Sequence, residues 1–116
     1  MRTAKKAKLL RLHFGESDQF DGKPLFEAIV DRCRELKIAG ATVFRGLEGF
    51  GESAEIHRHH VMRKDQPIVV AIVDTAENLD RLIPEVERMM DTGMIVASAV
   101  ECIRIEKARG DTVSPE

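Results

Sequence analysis

The sequence predicts a single α+β domain whose elements follow in the order β-α-β-β-α-β. Two segments repeat apolar residues at three- and four-residue spacing, as helices do, and short strand-like segments flank them. Glycine or proline marks most of the boundaries. The chain has 116 residues, of which 43% are hydrophobic, so one domain can build its core without disulfides. We assign residues 1–107 to this domain and expect residues 108–116 to form a disordered tail.

The first part of the chain predicts a strand, a loop and a helix. Apolar and polar residues alternate through Lys8–Phe14, which is typical of a strand. The segment of residues 16–23 is acidic and rich in turn-forming residues, and it is expected to form a loop. Pro24 suits the first turn of a helix, which should end near Lys37 and be stopped by Gly40. Its apolar stripe consists of Leu25, Phe26, Ile29, Val30, Cys33 and Leu36.

The middle of the chain predicts two strands separated by a loop. Ala41–Arg45 is rich in β-branched and aromatic residues and favours a strand, which could continue to Leu47. Ser53–Lys64 is polar without a clear period and is interpreted as a loop. Ile68–Val73 is a continuous apolar run after Pro67, which predicts a central strand buried on both faces or between subunits.

The last part predicts a second helix and a final strand. Thr75 is a good N-cap, and Gly93 is expected to end the helix. Pro84 lies inside and should kink it, at a cost of roughly 3 kcal/mol if nothing compensates. Residues 95–98 and 100–105 are predicted to be strand with a break between them. The apolar stripe of the second helix consists of Leu79, Leu82, Ile83, Val86, Met89 and Met90.

This order predicts a ferredoxin-like antiparallel sheet with both helices on one face. The opposite face of a sheet so rich in valine and isoleucine needs a cover. Oligomerisation is the simplest cover, because large apolar patches are rarely left exposed.

Composition excludes several classes of function. A net charge of −2 argues against nucleic-acid binding. Residues 1–11 carry +5 and could contact an acidic partner or phosphates, but we prefer to interpret them as a solvated tail leading into the first strand. Cys33 and Cys102 lack metal-ligand spacing and are interpreted as small buried hydrophobes in a reducing compartment. No apolar run approaches 18 residues, so we expect a soluble cytoplasmic protein without direct membrane insertion.

The glycine-rich stretch Gly40–Gly51, GATVFRGLEGFG, is the first candidate site. It matches neither the P-loop nor the dinucleotide-binding fingerprint. Its loop N–H groups could form a nest for a phosphate, although Glu48 would repel an anion. Taken alone, the stretch favours a bend between strand and loop over a ligand site.

The histidine-bearing segment after it is the second candidate. His57 and His59 would share a face if the segment were a strand, and could then bind one metal ion. Solvated loop histidines are the alternative that we prefer. Ser53 beside these histidines lacks a nucleophile elbow or oxyanion signature, so nothing argues for an enzyme or for a catalytic residue.

With these motifs and the closing strand ECIRIEK, the chain resembles the PII signalling superfamily, and more closely the PII-like branch known as a domain of unknown function (DUF190). The resemblance covers residues 8–106. It is carried by HFGESDQFDGKPLFEAIVDR, AGATVFRGLEGFG, the dipeptide Ile56-His57 and PIVVAIVD.

The resemblance implies a homotrimer that binds a nucleotide in the cleft between neighbouring subunits. It also implies that Ser53–Lys64 is a loop that contacts a target protein, such as a membrane transporter or an enzyme. The implied cleft residues are Thr42, Gly49, Phe50, Gly51 and Arg104. The implied contact residues of the loop are Ser53, Ile56, His57 and Arg58.

Two departures weaken the expectation of ATP. Glu106 stands where the family has a second phosphate-contacting arginine, and Met94 stands where it has a lysine. Each lost charge-assisted bond is worth roughly 1.5–3 kcal/mol. Arg45, Arg58 and Arg63 are the cations that could compensate.

We therefore expect a non-enzymatic regulator that binds a small anion, with an adenine nucleotide as one candidate and no certain cofactor. Two alternatives stay open. One is a trimer that binds a divalent metal through His57 and His59, and the other is a protein-interaction module without a ligand.

Overall fold

A computed structural model describes residues 2–47 and 66–105, with side chains from Ala4 onward. The elements in order are β1 (Arg2–Gly15), β2 (Gln19–Phe20), β3 (Lys23–Pro24), α1 (Leu25–Glu35), β4 (Ala41–Arg45), β5 (Pro67–Asp74), α2 (Ala76–Met89) and β6 (Met94–Ile105). No helix in these two ranges is long and apolar enough to cross a membrane.

The four long strands form one antiparallel sheet in the order β4-β5-β1-β6. The first and third long strands are central, and the second and fourth lie at the edges. This is the ferredoxin-like arrangement, so the predicted fold class is confirmed.

The core lies between one face of this sheet and both helices. Leu10, Leu12 and Phe14 of β1 face the same way because alternate residues of a strand share a face. They pair with Ile72, Val70 and Ile68 of β5, and all six side chains are at most 3% exposed. Both helices bury their stripes in the same cluster, which confirms that they share one face of the sheet. The buried helix residues are Leu25, Ala28, Ile29, Cys33, Leu79, Leu82, Val86 and Met89.

Helix α1 ends before the glycine that was expected to stop it. Lys37 adopts a left-handed conformation with φ 61° and donates its N–H to the carbonyl of Arg34. Ile38 donates to the carbonyl of Cys33 and is buried. This pair of hydrogen bonds is a Schellman motif, which normally places glycine where Lys37 stands. Pro24 is the N-cap and not the first helical residue.

Helix α2 begins as predicted. The Thr75 hydroxyl accepts a hydrogen bond from the N–H of Asn78 at 3.1 Å, which confirms the N-cap. The helix continues through Pro84 without interruption and ends at Met89. Proline cannot donate its backbone hydrogen bond, so at least that bond is missing from the exposed side of the helix.

Gly93 joins α2 to β6 in a conformation that other residues avoid. Its φ is 128°, and a Cβ there would lie 2.2 Å from the carbonyl oxygen of His13. Glycine is therefore required for both the backbone conformation and the close approach of two chain segments.

Several sequence predictions about the strands were wrong. Strand β1 begins at Arg2, so the basic start is part of the sheet and not a solvated tail; it pairs with β6 up to Ile105. Strand β6 has no break. Strand β5 alternates between buried and more exposed side chains within this chain, so it is not buried on both faces by its own chain, and burial between subunits stays a prediction.

The predicted acidic loop contains a small hairpin. Gln19 and Phe20 pair with Pro24 and Lys23, and the two residues between them both have positive φ, 55° at Asp21 and 82° at Gly22. This is the backbone preference that makes Asp-Gly a frequent two-residue hairpin turn.

Candidate functional site

The sheet face opposite the helices, called the open face below, is the candidate functional surface. It is covered by no described element. Its residues, assigned from strand register, are Lys5, Ala7, Leu9, Arg11, His13, Thr42, Phe44, Val69, Ala71, Val73, Met94, Val96, Ser98, Val100, Cys102 and Arg104.

The open face combines exposed apolar side chains with positive charge. Phe44 is 54% exposed, Met94 57% and Val73 39%. The fixed charges on this face are the cations Lys5, Arg11 and Arg104, and none of its described residues is acidic. The surface therefore suits a partly apolar partner and an anion.

Two of the predicted cleft residues lie on this face. Thr42 is exposed on β4 and pairs with Ala71, and Arg104 is exposed near the end of β6, opposite Thr3. The two side chains project from the same face, because the register from β4 through β5 and β1 to β6 keeps them in phase.

Thr42 and Arg104 are nevertheless far apart within one chain. The row of residues that starts at Thr42 crosses β5 and β1 and reaches β6 at Val96. Three strand spacings amount to about 14 Å, and the residues from Val96 to Arg104 add about 26 Å along β6. No small ligand can contact both side chains of one chain.

The described residues on either side of the predicted contact loop lie at one corner of the sheet. Gly46 donates its N–H to the carbonyl of Pro67 at 2.7 Å, and Glu16 donates its N–H to the carbonyl of Gln66 at 2.8 Å. A Cβ at Gly46 would lie 2.9 Å from the ring of Pro67, so glycine allows this approach. The described residues that flank segment 48–65 therefore lie side by side, next to β1.

Arg45 forms an ion pair at the same corner of the sheet. Its guanidinium donates to the Glu16 carboxylate at 2.5 Å. Arg45 pairs with Ile68 across the strands, so it lies on the helix side of the sheet, opposite to Thr42. The expectation that Arg45 compensates for missing phosphate-binding cations is therefore not supported by its position or its partner.

The other predicted site residues lie outside the described ranges. They are Gly49, Phe50, Gly51, Ser53, Ile56, His57, Arg58 and His59, and the same holds for Arg63 and Glu106. Within residues 2–47 and 66–105, no three His, Cys, Asp or Glu side chains gather as a metal site. Met94 does lie on the open face, opposite His13.

The two cysteines differ in their surroundings. Cys33 is buried in the core, as the sequence indicated, and this burial raises the pKa of its thiol to about 11. The thiolate is the reactive form, so the raised pKa makes Cys33 a poor nucleophile. Cys102 is only half-buried on β6, and both thiols are free.

Sequence reasoning missed Arg11. It lies at the centre of the open face, between Ala71 of β5 and Val96 of β6. The signal was present in the alternation of Leu10, Arg11 and Leu12, which puts a charged residue on the face opposite the buried leucines.

Comparison with known proteins identifies relatives along nearly the whole domain. Residues 7–102 match the family described as Uncharacterized ACR (DUF190). A UPF0166 protein of Aquifex aeolicus is 38% identical over 105 residues, which covers 89% of this chain and 98% of that protein.

Solved structures with a similar fold are PII-like proteins. One is CPII of Thiomonas intermedia K12, described as a nitrogen regulatory PII-like protein bound to ADP, AMP and bicarbonate. It has a TM-score of 0.58 and 17% identity, covering 86% of this chain and 91% of that one. Another is a putative PII-like signaling protein of Thermus thermophilus, with a TM-score of 0.57, 14% identity and coverage of 93% and 95%.

Proposed function

Because the chain belongs to the family described as Uncharacterized ACR (DUF190) and has a PII-like fold, we propose that it is a non-enzymatic cytoplasmic regulator that works as a homotrimer. It binds a small anion in a cleft between subunits and contacts a target protein through the Ser53–Lys64 loop. The cleft contains Thr42, Gly49, Phe50 and Gly51 of one subunit and Arg104 of its neighbour.

The positions of Thr42 and Arg104 carry this proposal. Both project from the open face, and their separation within one chain excludes a shared ligand there. A second copy can bring its own Arg104 against Thr42. A site divided in this way binds ligand only in the assembled protein, which couples assembly to ligand binding.

The apolar part of the open face supports assembly. Phe44, Val69, Val73 and Met94 would face water in a monomer, and Phe44 and Met94 are more than half exposed. Burying such side chains contributes roughly 25 cal/mol per Å². Closed symmetry with three copies covers this face on every subunit at once.

The ligand is a small anion, and an adenine nucleotide or bicarbonate is the first choice. The Thiomonas intermedia protein with the similar fold was solved with ADP, AMP and bicarbonate. The open face of this chain is cationic at Arg11 and Arg104 but has Met94 in place of a family lysine. Fewer cations favour a ligand with less charge than ATP, because each lost charge-assisted bond weakens phosphate binding.

The corner formed by Gly46, Pro67 and Glu16 supports the role of the loop. The described residues that precede and follow segment 48–65 lie there, at the end of the strand that carries Thr42. A ligand that moves the end of β4 therefore acts on the base of the loop. This is the route by which ligand binding would reach a target protein.

Sedimentation and calorimetry together test the proposal. We expect three subunits in sedimentation, and we expect heat on titration with at least one of ADP, AMP, ATP and bicarbonate. A clean monomer contradicts the divided site. A folded trimer that binds none of the four ligands contradicts the sensor, and the protein-interaction module is then the better account.

A further inference from the structure

We propose that Arg11 and Thr42 of one subunit together form an oxyanion-binding site on the open face, with Arg11 supplying the charge. This inference rests on the proposed function and deepens it, because it names the cation that takes the anionic group of the ligand. The ligand group is a planar or tetrahedral oxyanion, such as a phosphate or bicarbonate.

The sheet register brings the two residues into one row. Thr42 pairs with Ala71, and Ala71 pairs with Arg11. Two strand spacings separate Thr42 from Arg11, about 10 Å between backbones. The Ala71 side chain between them is a single methyl group. An arginine reaching over it and a threonine hydroxyl can therefore contact one oxyanion from opposite sides.

Arg11 has no partner of its own in the described part of the chain. It is exposed and makes no ion pair or hydrogen bond there through its side chain. Two cations on the helix side do have partners: Lys8 binds Asp80 at 2.9 Å, and Arg45 binds Glu16. The guanidinium of Arg11 is thus available, and the open face offers no described carboxylate to compete for it.

Because of its surroundings, the charge of Arg11 would be buried at a large cost in free energy if the open face were covered. Its cross-strand neighbours are Ala71 and Val96, and Leu9 and His13 lie two residues away on the same strand and face. A second copy covering the face would remove water from a guanidinium whose neighbours, apart from His13, are apolar. An unpaired buried charge is strongly destabilising, whereas a bound oxyanion accepts two parallel hydrogen bonds from arginine.

Arginine is also the suitable cation for this ligand class. Its planar fork matches two oxygens of a phosphate or bicarbonate, whereas lysine offers only a point charge. The hydroxyl of Thr42 can donate one further hydrogen bond to the same group. The pair therefore provides both charge and orientation, and Thr42 lies on the strand that leads to Gly46.

Titration calorimetry with ADP, pyrophosphate and bicarbonate tests the site. Arg11→Gln removes the charge, and we expect it to weaken binding of the ligands that the wild type binds by about ten- to a hundredfold. Arg11→Lys should keep part of the affinity, and Ala71→Leu should weaken binding by filling the gap in the row. Circular dichroism and sedimentation check that each variant is folded and assembled like the wild type.

Lys6→Gln is the matched control. Lys6 is an exposed cation on the same strand but on the other face, opposite Glu101. We expect its affinities to stay within about twofold of the wild type, since it loses the same charge away from the site. Equal losses in Arg11→Gln and Lys6→Gln would reduce the effect to general electrostatics and overturn the site.

The outcomes separate this inference from the proposed function. If the wild type binds a ligand and both Arg11→Gln and Ala71→Leu bind it equally well, the Arg11 site is wrong and the sensor stands. If the wild type binds no ligand, both the Arg11 site and the proposed sensor function are wrong. If the wild type binds pyrophosphate but not bicarbonate, and Arg11→Gln weakens that binding, the site is assigned to phosphate groups. If it binds bicarbonate but not pyrophosphate, and Arg11→Gln weakens that binding, the site is assigned to carbonate.

Discussion

Asp74 accepts a hydrogen bond from the backbone N–H of Ala39 at 2.9 Å, which ties the end of β5 to the connection that enters β4. The other carboxylate oxygen of Asp74 accepts from the N–H of Thr75 at 2.7 Å and from the side-chain amide of Asn78 at 3.0 Å. One carboxylate thus organises the start of α2 and the approach to the strand that carries Thr42.

Arg81 extends this network to the end of α1. It donates to the carbonyl of Leu36 at 3.3 Å and to the amide oxygen of Asn78 at 3.0 Å. Both helices are therefore joined at the edge of the sheet where β4 begins. The network positions the proposed site without contacting it.

Asp74→Ala should lower the free energy of unfolding by about 1–3 kcal/mol, because the N–H of Ala39 and the amide of Asn78 lose their acceptor. Urea denaturation measures the loss. Asp80→Ala is the control, since the exposed pair of Asp80 with Lys8 is worth at most about 1 kcal/mol. Equal losses of unfolding free energy in the two variants would show that the hydrogen bonds of Asp74 stabilise the fold no more than an exposed ion pair does.

The same carboxylate should make stability depend on pH. Burial acts to raise the pKa of Asp74, but hydrogen bonds from Ala39, Thr75 and Asn78 and the charge of Arg81 leave it below its usual value. A lowered pKa in the folded state stabilises the protein above the unfolded pKa of about 4, and that stability disappears as pH falls through the folded pKa.

Urea denaturation at several pH values tests this sign. The difference in unfolding free energy between the wild type and Asp74→Ala should be full at neutral pH and shrink below a pH of about 4. A difference that stays constant down to a pH of about 3, with both proteins still folding cooperatively, would contradict the assignment.

Gly93→Ala should be one of the most damaging single substitutions. Its Cβ would lie 2.2 Å from the carbonyl oxygen of His13, at a φ of 128° that alanine avoids. We expect a loss of more than about 3 kcal/mol or failure to fold. Gly40→Ala is the control: a Cβ added there would meet no atom within 4 Å, and the substitution should be nearly neutral.

Leu82→Ala tests the core and has its own control. Leu82 is fully buried, and the substitution should cost about 2–5 kcal/mol in thermal or urea unfolding. Leu47 is 95% exposed, so Leu47→Ala should change stability by less than about 0.5 kcal/mol. A small loss at Leu82 would contradict the position of α2 on the sheet.

Much of the fold could be predicted because burial patterns repeat locally. The bounds of β4 and the cap at Thr75 agree with the sequence prediction, and so do the core positions at Leu82 and Ile29. The end of α1 could not be predicted in this way, because Lys37 occupies the left-handed position that is normally occupied by glycine.

The other errors have similar causes. The Asp21-Gly22 turn carried a readable signal that was overlooked. The full length of β1 had no local signal, since residues from Arg2 to Lys6 become strand by pairing with the end of β6. Long-range pairing overrides the local preference of a charged segment for solvent.

The candidate site was predicted only in part. Alternation indicates that Thr42 and Arg104 lie on one face once the register is known, but it carries no distance between them. Sequence reasoning named Arg45 as a candidate cation and passed over Arg11. The structure separates the two, because Arg45 is paired with Glu16 on the helix side and Arg11 lies on the open face.

The most direct test of a site divided between subunits is a subunit-mixing titration with ADP. Thr42→Asp repels the anion and Arg104→Gln removes a charge, so each variant alone should bind ADP at least about tenfold more weakly than the wild type. The two are unfolded, mixed in equal amounts and refolded together, then titrated beside each pure variant and the wild type.

If one subunit supplies Thr42 and its neighbour supplies Arg104, random mixing restores about one site in four with both intact residues. Our account predicts that this fraction of sites binds ADP with the wild-type affinity. Every chain in the mixture lacks one of the two residues, so a site within a single chain cannot recover. A mixture that binds no more tightly than the two variants measured separately would contradict the divided site.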